Sequence, residues 1–204
     1  MKKNIIIFGN GNHCKVVKQE IEKISSYRIL AIFDFLGHRI ILNKKYKKNQ
    51  NKLSKKVLAI TAVGDNKSRK KLVKLVEKKF KNIKWVKIIS RDSIISKNVT
   101  IKEGTLIVSG AVVNTNSKIG SHCIINTLSS LDHDVKLGDY SDIAPGVNIA
   151  GNVTIGSNVF VGIGSSVIEE IKIENNVKIG GQSLVNKNCR SNKKYVGVPA
   201  KKVN

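Results

Sequence analysis

A chain of 204 residues has room for one domain or two small ones, and 41% hydrophobic residues supply enough apolar surface for a packed core. Its 37 basic against 14 acidic residues give a formal charge of +23, yet few aromatics interleave with the lysines, which speaks for a solvated lysine face and against a nucleic-acid surface. Three scattered cysteines exclude a disulfide framework or a Cys-based zinc site and fit a reducing cytoplasm, and no apolar run approaches a signal-peptide core or a membrane span.

In chain order, residues 5–8 (Ile-Ile-Ile-Phe) read as a buried parallel strand, and Gly9-Asn10-Gly11-Asn12-His13 as a tight turn after it. Cys14, Val16, Val17, Ile21 and Ile24 recur at helical spacing and predict a helix over about 14–24. Residues 29–33 form a second strand ending at Asp34, and 37–56 are polar and lysine-rich, a loop with one short element. Residues 57–63 form a third strand, closed by Gly64-Asp65-Asn66. A second helix covers 67–80 with Leu72, Val73, Leu75 and Val76 on its apolar face, and 83–89 is a last strand. Strand–helix–strand alternation over residues 1–90 predicts a small α/β domain with a parallel sheet. This segment also holds 24 of the basic residues and only five of the acidic ones.

The first turn has Gly9 and Gly11 but no third glycine, so a full dinucleotide fingerprint is absent. The turn can bring backbone amides and a helix N-terminus to an anion such as a diphosphate, or it is simply a tight connection. Asp34 can receive sugar or ribose hydroxyls, or stand as a solvated loop acid.

From Ile95 to Val185 every sixth residue is Ile, Leu or Val, sixteen positions in register without an insertion. Two residues before each lies a small or β-branched residue, and the one after is often Gly, Asn, Ala or Asp. A period of six is neither helical nor a strand alternation. It fits a triangular prism with one short strand and one tight turn per hexad and three hexads per coil. The aliphatic residue points inward, and the small neighbours leave room at the corners. The prism spans residues 91–195. The repeat stops after Val185, residues 186–194 are polar, and 196–204 read as a tail.

The sharpest constellation is Asn126-Thr127 through Asp132-His133-Asp134. Leu131 is in register, so His133 lies just past a corner and points out. A flanking carboxylate can hold Nδ1–H and leave Nε2 as a general base. His122 is also off the core register and reads as structural or interfacial. A β-helix metal enzyme needs three histidine ligands, and His122 with His133 supplies two, so no metal is expected.

These segments, together with Val63-Gly64-Asp65-Asn66, Ala144-Pro145-Gly146, Ala150 to Gly156 and Gly197-Val198-Pro199-Ala200, resemble the bacterial sugar acyltransferases nearly end to end. That group of hexapeptide-repeat enzymes includes the sialic acid O-acetyltransferases and the bacillosamine-pathway N-acetyltransferases. The resemblance implies a Rossmann-like α/β domain that binds a nucleotide-sugar, followed by a left-handed parallel β-helix; the hand comes from the family and not from the period. It implies His133 as catalytic base with Asp134 as its partner. It sets Gly11, Asn12, His13, Asp34 and Gly64 on the nucleotide-sugar, and Asp142, Ile163 and Gly181 along an acetyl-coenzyme A groove. Phe35 stands where relatives often carry a second acid, and Asp142 where they often carry His. The implied reaction is direct N-acetylation of a UDP-4-amino-sugar in surface glycan biosynthesis, by a cytoplasmic homotrimer with active sites between subunits. No nucleic-acid partner and no membrane insertion are expected. The alternatives are an O-acetyltransferase of sialic acid or a related sugar using the same base, and a basic trimeric scaffold without catalysis, against which the Asp-His-Asp segment speaks.

Overall fold

The computed structural model describes residues 2–36, 39–47 and 57–203. The first half is a layered α/β unit built from β1 (Lys3–Phe8), α1 (His13–Lys23), β2 (Tyr27–Leu36), β3 (Arg39–Leu42), β4 (Val57–Thr61), α2 (Asn66–Lys79) and β5 (Ile83–Trp85). The sheet order is β3-β2-β1-β4-β5, all parallel except β3, which runs antiparallel to β2. Ile5, Ile6, Ile7 and Phe8 are buried because helices cover both faces: Cys14, Val17 and Ile21 from α1 on one, Leu72 and Val76 from α2 on the other.

In the first 90 residues the structure corrects three sequence expectations. Asp34 does not end its strand; β2 continues to Leu36 because Phe33 to Leu36 pair with β3. Of the expected loop over 37–56, residues 39–42 are strand and 44–47 a single 3₁₀ turn, while 37–38 and 48–56 lie outside the described residues. The strand expected over 83–89 divides: β5 pairs with β4, whereas β6 (Ile88–Ile89) already pairs with Leu106 and Ile107 in the prism.

From β6 onward the chain winds in coils of 18 residues. Two-residue strands run from β7 (Ile94–Ile95) to β22 (Leu184–Val185), followed by β23 (Lys194–Val196) and β24 (Lys201–Val203). They stack into three faces of six, five and eight strands. In-register residues form columns, such as Val113, Leu131, Ile149, Val167 and Val185, and the interior is apolar throughout. The small residues two places earlier are buried at the corners, where most of the hydroxyls are doubly used. Ser117 Oγ donates to Asp132 O and accepts from Val135 N–H; Ser141 and Ser165 repeat the pattern further along the stack. The left-handed backbone needed at each turn falls three places after the core residue, often on Asn, as at Asn116, Asn152 and Asn158. The glycines just after core residues serve close approach instead: a Cβ on Gly138 would lie 2.5 Å from the carbonyl carbon of Gly156 one coil below. Ile143 is fully buried in this stack, so Ile143→Ala is expected to cost about 2–5 kcal/mol in a denaturant titration. A cost under about 1 kcal/mol contradicts the packing described.

The repeat is longer than its strict period. Ile89 fills a core slot one hexad before Ile95. After Val185 the winding continues with two residues deleted, so that Cys189 pairs with Ile173 and Tyr195 with Ile179. Cys189 is buried in the core and Tyr195 packs against it. The expected stop at Val185 is thus a phase shift, made possible because only the final coil must absorb it.

The α/β unit packs on the eight-stranded face. Ile88, Leu106 and Ile124 are outward-facing aliphatic residues there, and they join the cluster of Ile5, Ile7, Cys14, Val17 and Ile21. Lys23 Nζ reaches Asp92 at 2.7 Å, and Ser109 Oγ donates to the buried Glu20 at 2.7 Å, fastening α1 to the first coils. Among the described residues no helix is long and apolar enough to cross a membrane.

Candidate functional site

The sheet order places a switch point between β1 and β4, since α1 leads from β1 to one side and α2 from β4 to the other. Ligands of open α/β sheets bind beyond the carboxyl ends of such strands. Here the turns after β1 and β4 enclose a depression of ≈ 500 Å³ lined by Gly11, Asn12, His13, Phe35, Gly64 and Asp65, among others. The structure therefore brings together four of the five expected nucleotide-sugar residues. The fifth, Asp34, is not on its wall: its carboxylate accepts from Asn43 Nδ2 at 3.2 Å, and Phe35 faces the depression instead.

His13 opens α1, and its buried Nε2 has no hydrogen-bond partner among the described residues. Burial first, and then the nearby Arg69 guanidinium, pull its pKa down to about 4, so the ring is neutral near pH 7. His122 behaves alike, drawn to about 4 by burial and Arg69. It is buried, stacks on Tyr140 at 5.2 Å between centroids and meets Trp85 edge-on, which makes it part of the packing between the two halves. Its ring fills the space above Gly104, where a Cβ would collide.

A second cleft, of ≈ 1070 Å³, opens between the first turn of α2 and the lower coils of the eight-stranded face. Five lysines line it: Lys67, Lys178, Lys193, Lys194 and Lys202. So do Phe160 and two buried acceptors without partners among the described residues, Asp142 Oδ1 and Asn158 Oδ1. Of the three residues expected along the coenzyme groove, only Asp142 lies in this cleft. Ile163 is exposed around the next corner, with Gly181 packed below it. Sequence reasoning missed the lysines because they come from α2, β21 (Lys178–Ile179), the contracted last coil and β24, which only the fold brings together.

Asp142 is buried, and its pKa is pushed up to about 6 by loss of solvent, with Arg69 acting in the opposite sense. Because its charged form is penalised in the fold, its contribution to stability is present below the ordinary value near 3.8 and is lost as pH rises through about 6. Asp142→Asn is therefore expected to be more stable than the parent at pH 8, by up to about 3 kcal/mol. The difference should vanish near pH 4. Denaturant titrations of both proteins at the two pH values check this, because the effects of His13 and His122 cancel in the difference; equal stability at pH 8 contradicts it.

His133 sits on the corner between β13 (Ser130–Leu131) and β14 (Lys136–Leu137), about half exposed. Its Nδ1 is 2.9 Å from Asp134 Oδ2. Asp134 adopts a left-handed φ of 59°, which turns its carboxylate back to the ring it follows. Asp132 Oδ1 accepts the His133 N–H at 2.8 Å and Asn114 Nδ2 at 2.9 Å, fixing the backbone beneath the imidazole. The Nε2 edge lies over Gly151, where an added Cβ would come within 2.6 Å. With an ionised Asp134, Nδ1–H donates and Nε2 carries the lone pair: an exposed, oriented base. His133 lines neither the switch-point depression nor the lysine cleft of its own chain.

Comparison with known proteins agrees with these pieces. The PglD N-terminal domain matches residues 4–76, and the bacterial transferase hexapeptide (six repeats) matches residues 116–151. GDP-perosamine N-acetyltransferase of Escherichia coli O157:H7 is 32% identical over 76 residues, covering 37% of this chain and 34% of that protein. UDP-3-O-acylglucosamine N-acyltransferase of Hahella chejuensis is 30% identical over 103 residues, covering 50% of this chain and 27% of that protein. The matches thus span about a third or less of these relatives' length. Among solved structures, PerB of Caulobacter crescentus in complex with CoA and GDP-perosamine is 28% identical, covers 98% of this chain and 97% of its own, and superposes with a TM-score of 0.87. The acetyltransferase domain of PglB from Neisseria gonorrhoeae, 22% identical with a TM-score of 0.88, shares the fold over 99% of this chain and all of its own. The chain thus joins a stretch that matches the PglD N-terminal domain to hexapeptide repeats wound as a left-handed β-helix, an arrangement it shares with PerB over nearly the whole of both chains.

Proposed function

We propose that this protein is an acetyl-coenzyme A-dependent N-acetyltransferase that acts on the amino group of a nucleoside-diphosphate amino sugar, of the 4-amino type, in cytoplasmic surface-glycan biosynthesis. The observation that carries the reading is His133, exposed on a prism corner with Nδ1 held by Asp134. The switch-point depression suits the nucleotide, with the start of α1 and the Gly9–His13 turn near the diphosphate. The lysine cleft suits coenzyme A: its lysines match the phosphates, and the orphaned acceptors on Asp142 and Asn158 match the amide N–H groups of the pantetheine arm. Acetyl-coenzyme A supplies the acyl group when bound.

In this reading the sugar amine attacks the thioester carbonyl, a C–N bond forms and the C–S bond breaks. His133 Nε2 takes the proton lost by the amine and returns one to the departing thiolate. Asp134 keeps Nδ1–H oriented and balances the imidazolium charge. Backbone amides of the prism stabilise the oxyanion. Because His133 lines neither depression of its own chain, a neighbouring copy completes the site, and the enzyme is a homotrimer. Supporting this, Ile94, Leu128 and Ile163 leave large aliphatic side chains exposed on the prism. The PerB complex with CoA and GDP-perosamine supports the pairing of ligands.

The test is free-thiol release from acetyl-coenzyme A across a panel of UDP-, GDP- and dTDP-linked amino sugars. Turnover with at least one 4-amino sugar nucleotide is expected. Turnover confined to free sugars with hydroxyl acceptors contradicts the proposal.

A further inference from the structure

Arg69 is the one position of α2 where a charge falls on the apolar stripe: it stands three, four and seven residues before Leu72, Val73 and Val76, and it is 1% exposed. Its hydrogen bonds go to four backbone carbonyls and one side-chain amide. Nη1 donates to Val63 O at 3.0 Å and Gly64 O at 2.6 Å. Nε donates to His122 O at 2.8 Å, and Nη2 to Tyr140 O at 3.0 Å and Asn66 Oδ1 at 2.8 Å. Two of the carbonyls belong to the loop after β4, two to successive turns of the prism. Asn66 adds a parallel tie, donating from Nδ2 to Val159 O at 2.9 Å. The loop so held is no ordinary connection, because Gly64 and Asp65 line both the switch-point depression and the lysine cleft.

We propose that Arg69 is a positioning residue for both ligands: it locks the Val63–Asn66 segment, the common wall of the two depressions, onto the His122 and Tyr140 turns. This rests on the reading of those depressions as nucleotide-sugar and coenzyme sites. A planar fork with five N–H groups spans two carbonyls on one side and two on the other; a lysine ammonium, a point donor, cannot reach both pairs. Burying a guanidinium is costly, and carbonyl acceptors on every edge offset that cost. Acyl transfer needs the two ligands in fixed relation, and a wall displaced by about 1 Å can cost on the order of a hundredfold in rate.

Arg69→Lys and Arg69→Ala test the proposal, each compared with the parent by circular dichroism and melting temperature. Calorimetry gives separate affinities for coenzyme A and for GDP or UDP, and steady-state kinetics give kcat and both KM values. The expected result for Arg69→Lys is a folded protein whose affinities for both probes weaken together, with kcat lowered by roughly tenfold or more. Methylguanidinium should restore part of the rate or of the two affinities of Arg69→Ala and leave Arg69→Lys unchanged. A lowered melting temperature with kcat, both KM values and both affinities equal to the parent overturns the proposal and leaves Arg69 as packing only. If Arg69→Ala does not fold, the lysine variant decides. If the parent shows no acetyl transfer, the two affinities decide on their own, and a parent that binds neither probe overturns the proposal as well.

Discussion

His133→Ala should lose about two to four orders of magnitude in turnover while the protein stays folded. The side chain is half exposed and off the aliphatic columns, so its removal opens no core cavity. Its loss removes the only histidine among the described residues that projects from a corner beside a carboxylate; His13 and His122 are both held neutral by burial and by Arg69, and neither is placed as an exposed base. Asp134→Asn should cost less. Asparagine tolerates the same left-handed backbone, so the turn survives while the charge that orients Nδ1–H is removed. The check is kcat for both variants beside an unchanged melting temperature. Near-normal turnover of His133→Ala shows that the base lies elsewhere.

Gly151→Ala should also impair turnover, by roughly tenfold to a hundredfold, without touching the chemistry directly. The new methyl would stand 2.6 Å from both Cε1 and Nε2 of His133. The imidazole is the free end of an exposed side chain, so it swings aside at little cost to the fold. In doing so it gives up the 2.9 Å contact with Asp134 and the direction of Nε2. Loss of turnover with a nearly unchanged melting temperature is the expected pair of results. Full activity means that the ring does not need its place over Gly151.

The prism was readable in the sequence because each coil repeats one physical demand, an aliphatic residue inward every sixth position, and sixteen repetitions leave little room for another fold. Its ends were not. Ile89 preceded the segment where the period was followed, and the last coil drops two residues, so Cys189 and Tyr195 fill core slots out of phase. The α/β half was readable as alternating elements, and Gly11, Asn12, His13 and Gly64 converge as expected. Asp34 did not, since the antiparallel β3 carries β2 past it, and pairing with a later strand leaves no local sign. His133 was legible because its offset from Leu131 fixes its direction. Arg69 was missed although a signal existed, an arginine at the head of an apolar stripe otherwise made of Leu and Val. Asp142 shows the limit from the other side: nothing in its local sequence marks it as buried, yet in the fold it is, and loss of solvent pushes its carboxyl up.

The most direct measurement of the central claim is analysis of the product formed from acetyl-coenzyme A and a nucleoside-diphosphate 4-amino sugar. Mass spectrometry should show the sugar nucleotide gaining one acetyl group, and alkaline hydroxylamine, which cleaves oxygen esters, should leave that group in place, as it leaves amides. His133→Ala should form it at a small fraction of the parent rate. A product cleaved by hydroxylamine, and therefore an ester, contradicts amine acetylation, and the absence of any acetylated nucleotide-sugar contradicts the account as a whole.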